Sequence, residues 1–228
     1  MYQLEAIGYI HSCYKEKFAI PRQPRLVPAA TGIIELIPPY NQREALVGLE
    51  QVSHIWLLFI FHQSIEQKPR LKVRPPRLGG NKSLGVFATR STYRPNHIGQ
   101  SVVKLEQIVN NQLYVSGIDL VDSTPIIDIK PYIPYADIVT EATNTIAPEP
   151  PLPINVIWSA QALTQVAQHE QRLQKPLQAL IEQSLSQDPR PAYQQPEPTR
   201  EYGAVFWDVN VKWHYADHHT IEVLVVSD

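Results

Sequence analysis

Ser101-Val102-Val103-Lys104-Leu105-Glu106-Gln107-Ile108-Val109-Asn110-Asn111-Gln112-Leu113-Tyr114-Val115-Ser116-Gly117-Ile118-Asp119-Leu120 is the stretch whose reading decides the fold. Val102, Leu105 and Ile108 keep apolar residues along the first run. Asn110-Asn111 is a dipeptide that can close a two-residue hairpin loop, because asparagine tolerates unusual backbone angles. Working outward, residues 5–11 carry Ala6-Ile7 and Tyr9-Ile10, and residues 31–37 are β-branched up to Pro38-Pro39. Residues 55–62 form a continuous apolar run, the pattern of a strand buried on both faces. Residues 85–89 and 126–129 read as further strands, and residues 43–48 as a short helix. Many short strands punctuated by turns predict a mainly β fold, an antiparallel β-barrel in residues 1–142.

The composition shifts at residues 143–155, where Pro148, Pro150, Pro151 and Pro153 mark a linker. Residues 156–228 then read as a small α+β domain. Ser159 caps a helix with Leu163, Val166 and Leu173 on one face. Pro176 opens a second helix whose stripe is Leu177, Leu180, Ile181 and Leu185. Val209, Val211, Trp213 and Tyr215 alternate along a strand, and Ile221, Val223 and Val225 along its hairpin partner.

The 228 residues include 43% hydrophobic ones, enough for one large or two small cores. With one cysteine, Cys13, no internal disulfide can form, which fits a cytoplasmic protein. Met1-Tyr2-Gln3-Leu4-Glu5 does not read as a secretory signal, and the longest apolar run is too short to span a bilayer, so no membrane partner is expected. There is no Gly-x-Gly-x-x-Gly, no Cys-x-x-Cys, no His-x-His and no Gly-x-Ser-x-Gly. A Rossmann cofactor site, a phosphate loop, a metal centre and a serine hydrolase are therefore unsupported.

The net charge of −2 conceals an asymmetry: residues 1–110 carry 14 basic and 7 acidic side chains, and the remainder 6 and 15. No acid stands between Glu66 and Glu106. Arg70, Lys72, Arg74 and Arg77 in this stretch are candidates for phosphate binding, since such a field releases condensed counterions on binding. A basic half that complements an acidic half across an interface is the competing reading. In Arg94-Pro95-Asn96-His97-Ile98-Gly99, Pro95 holds Arg94 extended, Asn96 offers a donor and an acceptor, and Gly99 permits close approach. Such a loop can grip a ligand or be an ordinary turn.

Phe87-Ala88-Thr89-Arg90-Ser91-Thr92-Tyr93-Arg94-Pro95-Asn96-His97-Ile98-Gly99, Asp119-Leu120-Val121-Asp122-Ser123-Thr124-Pro125 and Asp128-Ile129-Lys130-Pro131-Tyr132 resemble the TsaA-like family, also called TrmO. Tyr14-Lys15-Glu16-Lys17-Phe18, Pro21-Arg22-Gln23, Ser53-His54-Ile55-Trp56, Phe61-His62-Gln63 and Asp188-Pro189-Arg190-Pro191-Ala192-Tyr193 extend the resemblance over nearly the whole chain. The chain departs from the pattern at His97, where the family usually has proline, and at Ser123, where it has glycine. The resemblance implies a homodimeric β-barrel methyltransferase that uses S-adenosylmethionine. The implied acceptor is N6 of threonylcarbamoyladenosine in the anticodon loop of threonine tRNA, and no metal is implied. It assigns cofactor contacts to Pro21, Arg22, Gln23, His62, Gln63, Arg90, Gln100, Ile118, Asp119, Leu120 and Val121. Arg94, Asn96, Asp128, Lys130 and Tyr132 fall to the acceptor base, where Tyr132 would stack on it. A barrel that binds S-adenosylmethionine or RNA without chemistry is the alternative. From the residues alone, His62 reads as a satisfied strand-end histidine, and Asp119 as a turn former.

Overall fold

The computed structural model describes residues 3–66, 68, 70–75, 82–190, 194–197 and 199–228. In chain order the barrel half contains β1 (Gly8–Ser12), β2 (Thr31–Leu36), β3 (His54–Ile60), β4 (Lys72–Val73), β5 (Leu84–Gly85), β6 (Ile98–Val109), β7 (Gln112–Ser116), β8 (Thr124–Pro131) and the short helix α1 (Pro134–Asp137). β1, β2, β7, β6, β3 and β8 close into an antiparallel barrel in that order, while β4 and β5 pair as a separate ribbon. Closure leaves no open edge, which is how short strands of this kind avoid unpaired backbone. Asn110 and Asn111 adopt φ of 50° and 61°, the left-handed pair that a tight β6–β7 hairpin requires.

β3 alternates strictly, with Ile55, Leu57 and Phe59 buried and Trp56, Leu58 and Ile60 half-buried. The expectation of a strand buried on both faces is thus corrected: its neighbours are β6 and β8 in a barrel wall, so only one face meets the core. Residues 85–89 are also not a strand beyond Gly85. The chain winds into a 3-10 turn at Val86–Ala88, whose carbonyl at Val86 accepts from both the amide and the hydroxyl of Thr89. Residues 43–48 form only a 3-10 turn, Arg43–Leu46.

The second half contains β9 (Asn155–Trp158), α2 (Ala160–Leu173), α3 (Leu177–Ser186), β10 (Tyr202–Phe206), β11 (Val209–Asp217) and β12 (Thr220–Ser227). Its sheet runs β10-β11-β12-β9, with β9 parallel to β12. β9 escaped the sequence reading because it abuts the prolines of the linker. The Ser159 side chain accepts from the Ala162 amide at 3.0 Å and caps α2. Leu163 is mostly outside the apolar face, and Ala162 and Val166 are the buried positions of α2. All four stripe residues of α3 are buried. On β12 the inward residue is Val226, not Val225, because the β11 register shifts between Lys212 and Trp213 and reverses the alternation. Among the described residues no helix is long and apolar enough to cross a membrane.

Both halves share one core, in which Ile118 and Leu120 join Leu185, Phe206 and Trp213. Between β7 and β8 the chain turns at Ser123, whose φ is 61° and whose amide donates to the Ile10 carbonyl at 2.8 Å. A side chain is strained in this left-handed region, which accounts for the glycine that the family pattern prefers. Ser123→Gly is therefore expected to raise the melting temperature by about 1–4 °C, read by calorimetry. An unchanged or lower value would show that the turn carries no strain.

Candidate cofactor and acceptor site

β7 ends at Ser116, and Gly117 turns the chain at a φ of 71°. The turn is fixed from both sides, since Arg25 donates to the Gly117 carbonyl and the Gly117 amide donates to Ala30, each at 2.8 Å. Ile118 and Leu120 then enter the core. Asp119 lies between them and has its Oδ1 enclosed without a hydrogen-bond partner. Burial pushes its carboxyl up to about 6, and the Ser101 hydroxyl and the Arg90 charge pull the other way. A buried acceptor with no partner is unfavourable unless a ligand supplies the donor.

Arg90 donates through Nη1 to Gln23 Oε1, and Lys17 Nζ donates to the Gln63 carbonyl at 2.8 Å. His62 opens the 3-10 turn His62–Ser64 at the end of β3, and burial holds its imidazole below the usual value. It is therefore a neutral group at pH 7. The Leu120 and Val121 carbonyls already accept from the hydroxyls of Ser12 and Thr124, at 2.6 and 2.7 Å. The side chains of Ile118 and Leu120 belong to the core, so this segment can meet a ligand mainly through Asp119 and backbone. Pro21 is buried. Arg22 reaches the other half of the molecule, where Nη2 donates to the carbonyls of Asp188 and Arg190.

Gln100 stands apart from this group. It is exposed opposite Leu58, whereas its neighbour Ser101 is buried on the other face of β6. The period of two along a strand puts Gln100 on the outer wall. Register brings it into line with Leu58 and Asp128, next to the line of Val102, Trp56 and Lys130. Lys130 pairs loosely with Asp128 at 3.6 Å, and Asp128 Oδ1 accepts from the Ile129 amide at 2.9 Å. Tyr132 packs against Trp56 at 5.8 Å and His54 at 6.5 Å. The acceptor-base candidates therefore divide between this outer wall and the loop before β6.

In that loop Arg94 Nη1 donates to the Thr89 carbonyl at 2.7 Å, the His97 amide to Arg94 at 3.1 Å, and the Phe61 amide to His97 at 2.7 Å. Arg94 thus braces the loop, and Asn96 is left exposed at its tip. The close approach at Gly99 is internal, because a Cβ there would lie 2.3 Å from the Phe59 ring. His97 has a φ of 53°, which proline, fixed near −65°, cannot adopt. The departure at this position goes with a turn of different backbone.

Of the phosphate candidates, Lys72 and Arg74 are exposed. Arg70 is paired with Glu66 and lies over the Tyr93 ring at 4.1 Å. The Arg70 guanidinium holds the Glu66 carboxyl below its usual range, so Arg70 contributes less free charge than the sequence implies. Arg77 lies outside the described residues. Sequence reasoning gave no role to Ser101 or Lys17; the one signal for Ser101 was a hydroxyl at the start of an apolar strand. Among the described residues no group of three or more His, Cys, Asp or Glu is placed to hold a metal.

Residues 9–138 match the tRNA-methyltransferase O N-terminal domain and residues 151–228 the TrmO C-terminal domain. A putative S-adenosylmethionine-dependent methyltransferase of Pseudomonas aeruginosa, RcsF, is 63% identical over 99% of this chain and 98% of its own. The tRNA (adenine(37)-N6)-methyltransferase of Escherichia coli K12 is 48% identical over 95% and 94%. The crystal structure of TrmO from Pseudomonas aeruginosa superposes with a TM-score of 0.88 at 54% identity, covering 100% of this chain and 99% of that one. Fold and relatives define a methyltransferase built on a β-barrel instead of a Rossmann sheet. The chain belongs to the tRNA-methyltransferase O (TrmO) family.

The Asp119 carboxyl links site and stability. Its unfolded value is 3.8 and its folded value about 6, so the folded state binds more protons between them. The penalty of holding the charge inside is absent below pH 4, grows as pH rises to 6 and is complete above it; the gap corresponds to about 3 kcal/mol. Asp119→Asn is expected to stabilise the ligand-free protein at pH 7.5 by up to that amount and by little at pH 4, measured by denaturant titration. A loss of stability at pH 7.5 would contradict this placement.

Proposed function

We propose that the protein methylates N6 of threonylcarbamoyladenosine at position 37 of threonine tRNA, in the cytoplasm, with S-adenosylmethionine as donor. The observation that carries the reading is the partnerless, buried Asp119 Oδ1 beside Arg90 at the barrel end. The residues there fit the donor: a carboxylate accepts ribose hydroxyls, and neutral His62 and the Gln63 and Gln23 amides accept and donate without adding charge. When bound, S-adenosylmethionine supplies a sulfonium methyl to a nitrogen nucleophile. The chain's own contribution is positioning, since a nitrogen and a methyl carbon held in line need little further chemistry. Asn96, at the exposed tip of a braced loop, meets the acceptor base from one side. Asp128, Lys130 and Tyr132 meet it from the outer wall, and Lys72 and Arg74 meet flanking phosphates.

A homodimer fits the same surface. Trp56, Leu58 and Ile60 form a half-buried apolar row on the outer wall between the rows of Gln100 and Asp128.

The direct test is transfer of labelled methyl from S-adenosylmethionine to threonine tRNA carrying the threonylcarbamoyl group, with tRNA lacking that group as control. Label is expected on the first only. Cofactor binding without transfer to either would leave a sensor or RNA-binding module in place of an enzyme. In the same assay Asn96→Ala should lower turnover by about 100-fold while cofactor affinity changes by less than about threefold. Equal losses in both would remove Asn96 from the acceptor site.

A further inference from the structure

Residues 13–23, which follow β1, carry Lys17 and Gln23 to the proposed cofactor site. Asp122 of the barrel half holds the segment through its amide on the Tyr14 carbonyl at 2.7 Å and its carboxylate on Lys15 at 3.0 Å, and a further series of anchors belongs to the second half. The Trp207 amide donates to the Cys13 carbonyl at 2.8 Å. Tyr14 forms a β-bridge with Phe206, meets its ring edge-on at 6.0 Å and shares a hydrogen bond with Ser184 Oγ at 3.1 Å. Glu16 Oε1 accepts from the Val205 amide at 3.1 Å. Phe18 lies flat on Trp213, 5.8 Å away and 5° from parallel. Arg22 closes the series on the carbonyls of Asp188 and Arg190, at 3.3 and 3.1 Å. Lys17 and Gln23, interleaved with these anchors, turn the other way, to Gln63 and Arg90.

The last anchor is itself stiff. Asp188 stands at a φ of 51°. Its carboxylate accepts from Arg190 Nε at 3.0 Å and from the Tyr215 hydroxyl at 2.8 Å. The Arg190 guanidinium lies over the Tyr215 ring at 4.5 Å and donates to the His218 carbonyl at 3.1 Å. Burial and the neighbouring Asp188 charge push the Tyr215 hydroxyl far up, so it remains a donor. An arginine that donates to two carbonyls of such a turn fixes the backbone next to Gln23, and Gln23 in turn accepts from Arg90.

We propose that Arg22 is a positioning residue of the cofactor site, through which the Asp188-Pro189-Arg190 turn of the second half sets the place of Gln23 and Arg90. This rests on the cofactor reading given above and assigns the second half a task in the first. The resemblance gives Arg22 a contact with the donor itself; the guanidinium is instead turned to the Asp188 and Arg190 carbonyls, so the side chain acts on the donor through the loop.

The test is calorimetric binding of S-adenosylmethionine to the full chain, together with steady-state kinetics, for Arg22→Met, Arg190→Met and the double variant. Arg22→Met should raise Kd and KM for the donor about tenfold while kcat falls by less than about twofold and the melting temperature stays within about 2 °C. Arg190→Met should weaken binding less, and the double variant should be no weaker than Arg22→Met, because both act through one contact. Tyr215→Phe, which removes one hydroxyl from the same turn, should show the same KM-weighted loss and serves if Arg190→Met does not fold. Native affinity in Arg22→Met, or fully additive losses in the double variant, would overturn the proposal while leaving the cofactor site intact. A native chain that binds no S-adenosylmethionine would overturn the cofactor reading and this inference with it.

Discussion

At the end of a closed barrel, the alternation Ile118-Asp119-Leu120 locks a carboxylate in place. Two core side chains hold the backbone on either side of it, and Gly117 fixes the direction in which the chain leaves β7. The residue is half-buried, with its Oδ1 enclosed. Its environment is consequently built around a charge that the fold alone leaves incompletely satisfied: Ser101 below, Arg90 nearby, and Gln23 holding Arg90. Natural proteins keep such unsatisfied groups where a ligand completes them.

That constraint explains why a barrel can serve a task more often given to a Rossmann sheet. In a Rossmann fold a glycine-rich turn and a helix terminus present backbone donors to the ligand. Among the described residues no such turn exists, and in the proposed site the donors and acceptors come from side chains on three separate segments. Those segments need independent fixing. β3 and β6 fix the turn after Phe61 and the loop before Gly99 by direct pairing. The segment after β1 has no strand partner of its own over residues 13–23 beyond one β-bridge, and contacts with Asp122 and with the second half take that role. The single core shared by the two halves fits such an arrangement.

Much of this was legible in the sequence, for identifiable reasons. Asn110-Asn111 and the strand-length apolar runs predicted hairpins and a barrel, because turn chemistry and period-two burial are local properties. The helix cap at Ser159 and the stripe of α3 were legible for the same reason. What depends on a partner strand was not. The apolar run of β3 predicts burial on both faces, and plain alternation predicts Val225 inward in place of Val226, since strand neighbours and a register shift are properties of two strands. At the site, Asp119 and Arg90 were singled out by family pattern, and local physics gave Asp119 only a turn. The separation of Gln100 from Asp119 needed the pleat of β6, and the pairing of Arg70 with Glu66 needed coordinates, because a gap in acidic residues does not show what lies at its edge.

On the proposed function, the Asp119 carboxyl stays incompletely satisfied until a donor with ribose hydroxyls arrives. Carbon-detected NMR titration of that carboxyl, with and without S-adenosylmethionine, measures it directly. A value of about 6 is expected in the free protein, falling toward or below the ordinary carboxylate range when the donor binds, with affinity rising between pH 5 and 7. A carboxyl that titrates near 3.8 in the free protein, or one whose titration ignores the donor, would contradict it.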